Sequence, residues 1–186
     1  VNTAKYIANK EGADVFVVTL AALLHDIADW KFYNGDDKAG SQVTRELLRK
    51  YDIAKTVLDH VCHIVDNVSF KGAKEENGIN TIEGQVVQDA DRLDALGAIG
   101  IARVFAYGGS AGREIYNPNI KPTINMDFEA YKKNNSSSIN HFYEKILLIK
   151  DRLNTKTAKE IAEKRHQFLL RYLDQFYEEW EAKYDA

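Results

Sequence analysis

Apolar residues recur every three or four positions along most of the chain and almost nowhere alternate with polar ones, which is the periodicity of helices rather than strands. In the opening segment VNTAKYIANKEG, Val1, Ala4, Ile7 and Ala8 share one helical face and Gly12 supplies a stop. Asp14 is placed to cap a second helix, which continues through the apolar stretch TLAALLHDIADWKF, residues 19–32. Ser41 is expected to cap a third helix, QVTRELLRKY, and Asp52 a fourth, IAKTVLDHVCHIVDNV. The polar, glycine-bearing SFKGAKEENGIN reads as a loop. Asn80 and Glu83 have the spacing of a capping box in front of the long segment IEGQVVQDADRLDALGAIGIARVFAY. Residues 108–127 collect glycines, asparagines and both prolines, Pro118 and Pro122, and so form a long irregular connection of the kind that serves as a lid or binding loop. NNSSS (134–138) breaks the chain again, with Ser138 capping INHFYEKILLIKDRL. Thr157 and Glu160 form a further capping box before a final helix through IAEKRHQFLLRYLDQFYEEW. The pattern predicts an all-α domain of about seven or eight helices, with no internal repeat.

Composition narrows this picture. A chain of 186 residues with 45% hydrophobic content suits one compact domain over residues 1–186. It has no apolar run of about 18 residues and no signal-like leader, so a membrane is not an expected partner and the protein is expected to be cytoplasmic. The formal charge of −3 gives no basic bias, so no nucleic-acid polymer is expected as a partner. A single cysteine, Cys62, excludes an internal disulfide and agrees with the same compartment. The stripe Phe168, Tyr172, Phe176 and Trp180 is expected to be core packing of the last helix, with an oligomer seam as the alternative.

Two places in the pattern carry chemistry. In TLAALLHDIADWKF, a helix expected to bury Leu20, Leu23, Leu24 and Ile27 is interrupted by His25 and Asp26, with Asp29 one turn on. Burying ionisable groups beside aliphatic ones costs roughly several kcal/mol per unpaired charge, so something must compensate. On a helix, His25 and Asp26 differ by about 100° and can aim at one point above the surface, while Asp29 returns to the face of His25. That offers an imidazole nitrogen and a carboxylate oxygen to a cation, with a second carboxylate nearby for a proton. The plainer alternative is a hydrogen-bonded core histidine and a helix-end carboxylate. The second place is QDADRLDALGAIG (88–100), where Asp89, Asp91 and Asp94 interrupt an apolar helix and repel one another unless a cation or Arg92 sits among them. Its alternative is a solvated acidic stripe paired to Arg92. The small residues Ala90, Ala95, Gly97, Ala98 and Gly100 would let another helix approach closely.

The HD pair on one helix and DADRLD on a later one resemble the HD-domain superfamily of metal-dependent phosphohydrolases. More narrowly, LAALLHDIADWKF, VSFKG, VVQDADRLDALGAIGIARVFAYGG and SINHFYEKILLIKDRLNTKTAKEIAEKRHQF are similar to the small bacterial branch that includes nucleotide pyrophosphohydrolases. The resemblance implies an HD-domain helical bundle and a four-ligand H…HD…D metal site. His25 and Asp26 match the HD element and Asp91 the last aspartate. The first histidine has no counterpart, and because the chain starts at Val1, inside what looks like that helix, a preceding segment bearing it is expected. Two histidines and two carboxylates would leave open positions on an ion that takes five or six ligands, which favours Mn2+, with Mg2+, Co2+ or Ni2+ as alternatives, over structural zinc. Such an ion would polarise a phosphoryl oxygen and acidify a bound water. Asp29 matches the position where relatives carry the acid that orients or deprotonates that water.

For the phosphate chain, Lys71 in SFKG is the first candidate, with Arg92 and Lys31 beside it. Arg113 in the long loop, and His141 with Lys145 at i, i+4, could close over the substrate, or serve ordinary loop and helix-surface roles. His63 is divided between substrate contact and plain packing, His60 is expected at the surface, and Tyr107, Tyr116 or Phe70 could stack on a base. The expected partner is a nucleotide, with a (deoxy)nucleoside triphosphate cut to monophosphate and pyrophosphate as the expected substrate. Phosphomonoesterase or phosphodiesterase action on the same fold, or a catalytically silent nucleotide-binding sensor, are the alternatives. The oligomeric state is not legible in the sequence.

Overall fold

The structure, a computed structural model, describes residues 1–28, 38–68, 78–124 and 136–183. All regular structure among them is helical: α1 (Asn2–Glu11), α2 (Val15–Leu24), α3 (Ala39–Leu48), α4 (Lys55–Val68), α5 (Ile82–Leu93), α6 (Gly97–Ser110), α7 (Ser138–Glu144), a 3₁₀ segment (Ile146–Arg152) and α8 (Lys156–Trp180). None of these helices is long and apolar enough to cross a membrane. The chain divides into two compact units, Val1–Asp91 with Asn154–Ala158, and Arg92–Leu153 with Lys159–Ala186.

In the first unit α1 packs on α2, and α4 packs on both α2 and α3. Its core takes Ala4, Ile7 and Ala8 from α1, Val17, Val18, Ala21 and Leu24 from α2, Val61, Ile64 and Val65 from α4, and Val86 and Val87 from α5. The face predicted for α1 is thus found, except that Val1 lies before the helix and is exposed. Gly12 stops α1 in the left-handed region at φ 73°, where a side chain would be strained, and its N–H returns to the Ala8 carbonyl. Asp14 caps α2 as expected, its carboxylate accepting from the backbone of Phe16 and Val17 at 2.8 and 3.2 Å.

Other caps sit elsewhere than the spacing suggests. Ser41 lies inside α3, where its N–H donates to Asp66 on α4 and its hydroxyl donates back to the Lys38 carbonyl. α4 starts at Lys55, three residues beyond Asp52. Thr81, not Asn80, caps α5, its hydroxyl accepting from Gly84 N at 3.3 Å, while Glu83 reaches away to accept from the backbone of Asp14 at 3.0 Å. Buried Cys62 sets its thiol 3.6 Å from the Ser41 carbonyl.

In the second unit α6 packs on α7, and α7 on the 3₁₀ segment. Leu93, Leu96, Ile139, Phe142, Ile146, Leu169 and Leu173 form its core. The long helix read through residue 107 is broken at residues 94–96, and Gly97 restarts it with φ 75°. There the Arg165 side chain packs over the glycine, 3.1 Å from where a Cβ would be, and its guanidinium donates to the Leu93 carbonyl at 2.6 Å. The close approach expected of the small residues is therefore made by a side chain that also satisfies the end of α5. Ser137 rather than Ser138 caps α7. The helix expected through Leu153 breaks at Lys145 into α7 and the 3₁₀ turn. Of the C-terminal stripe, Tyr172 packs on Phe105 and Phe142, and Phe176 on Tyr116 and Trp180, but Phe168 and Trp180 are exposed. The inner face of α8 is made instead by Ala162, His166, Leu169 and Leu173.

Candidate functional site

The helix carrying the HD pair ends one residue before it. α2 stops at Leu24, His25 is its C-cap, and Asp26 stands in the following turn. The turn also leaves Leu23 and Ile27 exposed, so of the expected apolar face only Leu24 is fully buried. The helix can stop because His25 Nδ1 lies 3.0 Å from the Ala22 carbonyl and takes one of the orphan acceptors of the last turn. With Nδ1 engaged there, Nε2 is the ring atom that faces outward. It faces two carboxylates, Asp26 Oδ2 at 3.2 Å and Asp91 Oδ1 at 3.8 Å.

Three side chains from the end of α2 and from the last turns of α5 thus meet at one imidazole nitrogen. They do so near the surface: the side chains of His25, Asp26 and Asp91 are 23, 78 and 48% exposed. The burial cost of these charges is accordingly smaller than the apolar sequence implies. The demand for positive charge is real nonetheless, since Asp26 first and Asp91 second push the His25 pKa up to about 10 against the effect of its partial burial. Among the described residues no three His, Cys, Asp or Glu groups surround a common point at ligand distance. The imidazole and carboxylates close directly on one another, as they do when a proton on Nε2 is the positive charge. The donor set fits a divalent ion: one imidazole nitrogen oriented through its other nitrogen, two carboxylates, and the negative end of α2.

The other acids of the DADRLD run separate. Asp89 is fully buried and accepts four hydrogen bonds from Asn154 and Thr155, and Asp94 is exposed in the turn after α5. The run is therefore not a shared cation cluster: Asp89 and Asp91 lie on different sides of α5, and Asp94 lies beyond its end. Arg92 Nη1 donates to the carbonyl of Arg152. Asp29, Lys31, Lys71 and Phe70 lie outside the described residues.

His60, expected at the surface, is half-buried with Nε2 3.0 Å from the Thr81 hydroxyl and 3.9 Å from Glu83, so it braces the start of α5. His63 is exposed on α4 with the Asn67 side chain against its ring. In the second unit, Arg113, His141 and Lys145 are brought together. The backbone N–H groups of Ser138 and Ile139 donate to the carbonyls of Glu114 and Ile115, which fastens the segment after Arg113 to the start of α7. Burial, then Lys145 and Arg113, push the His141 pKa down to about 4. The Arg113 guanidinium lies 5.5 Å from the centre of the exposed Tyr107 ring. Tyr116 is engaged edge-on by Phe176, Tyr177 and Trp180 at 5.1–5.8 Å, which removes it from the candidates for base stacking.

Sequence reasoning passed over Asn154, Thr155 and Glu11, whose backbone and side-chain bonds tie the start of α8 into the first unit. Glu11 accepts from Thr157 N at 2.7 Å, and Thr155, not Thr157, caps α8 by accepting from Ala158 N. The capping-box spacing at 157 and 160 marked the helix start but not these distant partners.

Comparison with known proteins places the chain in a family. YpgQ of Bacillus subtilis is 40% identical over 176 residues, 92% of this chain and 76% of that protein. The crystal structure of an HD-superfamily hydrolase from Bacillus thuringiensis superposes with a TM-score of 0.78 at 42% identity, covering 98% of this chain and 82% of that one. The crystal structure of Bacillus subtilis YpgQ in complex with ADP superposes with a TM-score of 0.73 at 35% identity, covering 96% and 84%. The family model of the HD domain matches residues 1–96, the stretch that holds His25, Asp26 and Asp91. With more than half its length in that match and relatives of this identity spanning nearly all of it, the chain belongs to the HD-domain superfamily.

Proposed function

We propose that the protein is a divalent-metal-dependent phosphohydrolase of nucleotides, and specifically that it cleaves a (deoxy)nucleoside triphosphate to the monophosphate and pyrophosphate. The observation that carries this reading is the meeting of His25 Nε2 with Asp26 and Asp91, at 3.2 and 3.8 Å, from the turn that ends α2 and from α5. The naming of a similar structure as an HD-superfamily hydrolase supports hydrolysis, and the ADP complex of YpgQ supports a nucleotide as the ligand. His25, Asp26 and Asp91 would hold the ion, Mn2+ before Mg2+, Co2+ or Ni2+, through one nitrogen and carboxylate oxygens. When bound, a divalent ion supplies Lewis acidity toward phosphoryl oxygen and lowers the pKa of water. Asp29 is assigned the proton of the attacking water. Lys71, Arg92 and Lys31 are assigned to the phosphate chain, with His63 as a further contact. Arg113 and Lys145 add fixed positive charge, and between them His141, neutral at pH 7, offers a hydrogen bond rather than a charge.

The deciding experiment incubates the protein with Mn2+ and each common nucleotide and identifies the products. Pyrophosphate with nucleoside monophosphate is the expected result. Orthophosphate alone would replace the proposed bond with phosphomonoester cleavage, and turnover of no nucleotide at all would leave a silent binding module.

A further inference from the structure

Asp89 has no exposed surface, yet its carboxylate lacks nothing a charge needs. Oδ1 accepts from Asn154 N and Nδ2, both at 2.8 Å, and Oδ2 accepts from Thr155 N at 2.7 Å and from the Thr155 hydroxyl at 2.8 Å. Gln88 Oε1 accepts from the same Asn154 amide at 3.0 Å. Four donors on one buried carboxylate make a strong, directional anchor. It also suits a carboxylate better than an amide, since an NH2 group in place of either oxygen would face a backbone N–H donor.

Positions two apart on a helix differ by about 200° around its axis. With Asp89 fastened to residues 154 and 155 on one side of α5, Asp91 is held on the other, where its Oδ1 stands 3.8 Å from His25 Nε2. Turning α5 enough to carry Asp91 away from His25 would drag Asp89 out of all four bonds. Asp91 itself is half exposed. We infer that Asp89 is a positioning residue, which sets the rotation of α5 so that Asp91 meets His25. Its consequence for metal binding rests on the function proposed above, whereas its consequence for the geometry at His25 does not.

The test uses Asp89→Asn, with Asn154→Ala as a milder variant that removes one of the four donors, each kept well below its melting temperature and checked for folding by circular dichroism. Two quantities are read: the imidazole 15N shifts of His25 in metal-free protein, and the Mn2+ dissociation constant by electron paramagnetic resonance. Asp91→Asn marks the change at His25 when the Asp91 carboxylate is lost. Asp89→Asn is expected to move the His25 signals in the same sense and to weaken Mn2+ about tenfold or more, as loss of outer partners does at metal sites. The exchanged pair Asp89→Asn with Asn154→Asp is expected to recover part of both. The inference is overturned if Asp89→Asn lowers the melting temperature but leaves the His25 signals and Mn2+ binding of the folded protein as in the wild type. Should wild-type protein bind no Mn2+, the proposed function fails while the His25 signals still decide the positioning role. Should Asp89→Asn not fold, Asn154→Ala decides it by the same signals.

Discussion

At the scale of single residues, the chemistry depends on which proton sits where. Asp29 follows His25 by one turn of sequence, and if it handles the proton of the attacking water its loss should leave ion binding intact while slowing the chemical step. Asp29→Asn is expected to cut kcat by about a hundredfold or more with Mn2+ affinity unchanged; equal kcat in the variant would remove it from the reaction. His141 makes a second prediction through pH. Its folded pKa of about 4 lies below the ordinary histidine value, so between those two limits the unfolded chain binds a proton that the folded chain refuses. Stability is therefore lost as pH falls from about 6.5 toward 4, at most about 1.4 kcal/mol per pH unit for this one group. His141→Gln, which cannot titrate, should flatten the fall of the melting temperature over that window. An unaltered slope would mean that His141 titrates as an ordinary exposed imidazole.

At the scale of elements, the first unit is fastened by acids of one helix that accept backbone N–H groups at or near the start of another. Glu83 of α5 serves Asp14 at the start of α2, Asp66 of α4 serves Ser41 in α3, and Glu11 of α1 serves Thr157 in α8. The bonds from Thr157, aided by Lys156, hold the Glu11 carboxyl below its usual pKa. A depressed carboxylate contributes stability that is present above its unfolded pKa and disappears as pH falls through the folded value. Glu11→Gln should thus cost stability at pH 7, a few tenths to about 1 kcal/mol given how exposed the group is. The cost should shrink as pH falls through the carboxylate range, and chemical denaturation at pH 7 and at pH 3 checks the contrast. The same bonds explain what the sequence could and could not tell. Asp14 was legible as a cap because its partners are two and three residues away. Thr81, Ser137 and Thr155 were each missed by one or two positions, since neighbouring Ser, Thr and Asn residues satisfy the local rule equally and distant packing chooses among them. The break between α5 and α6 was invisible because the apolar period runs through it, and the residue that completes it, Arg165, lies far along the chain. Which acid of the run meets His25 was given only by the resemblance to the HD-domain superfamily, whereas the two places themselves were legible, because ionisable groups stood out against apolar periods in both. The anchoring of Asp89 was not, because nothing near it in sequence names Asn154 or Thr155.

At the scale of the whole molecule, an ion held by the folded protein and not by the unfolded chain shifts the folding equilibrium by mass action. Free Mn2+ at a hundred times its dissociation constant is worth about 2.7 kcal/mol. For a chain of 186 residues each kcal/mol corresponds to roughly 2–4 °C, so saturating Mn2+ should raise the melting temperature by about 5–10 °C, and a chelator should reverse it. Net charge alone could mimic part of this, because a protein of charge −3 is stabilised weakly by any added cation. Asp91→Ala separates the two effects. It removes one carboxylate at His25 and changes the net charge by a single unit, so general screening would survive it nearly whole while site binding would not. The expected outcome is a melting temperature that rises with Mn2+ in the wild type and stays nearly flat in Asp91→Ala, with ionic strength held constant by NaCl. A rise of the same size in both proteins would show that the ion acts on the general surface charge, and that His25, Asp26 and Asp91 pair through a proton and hold no metal.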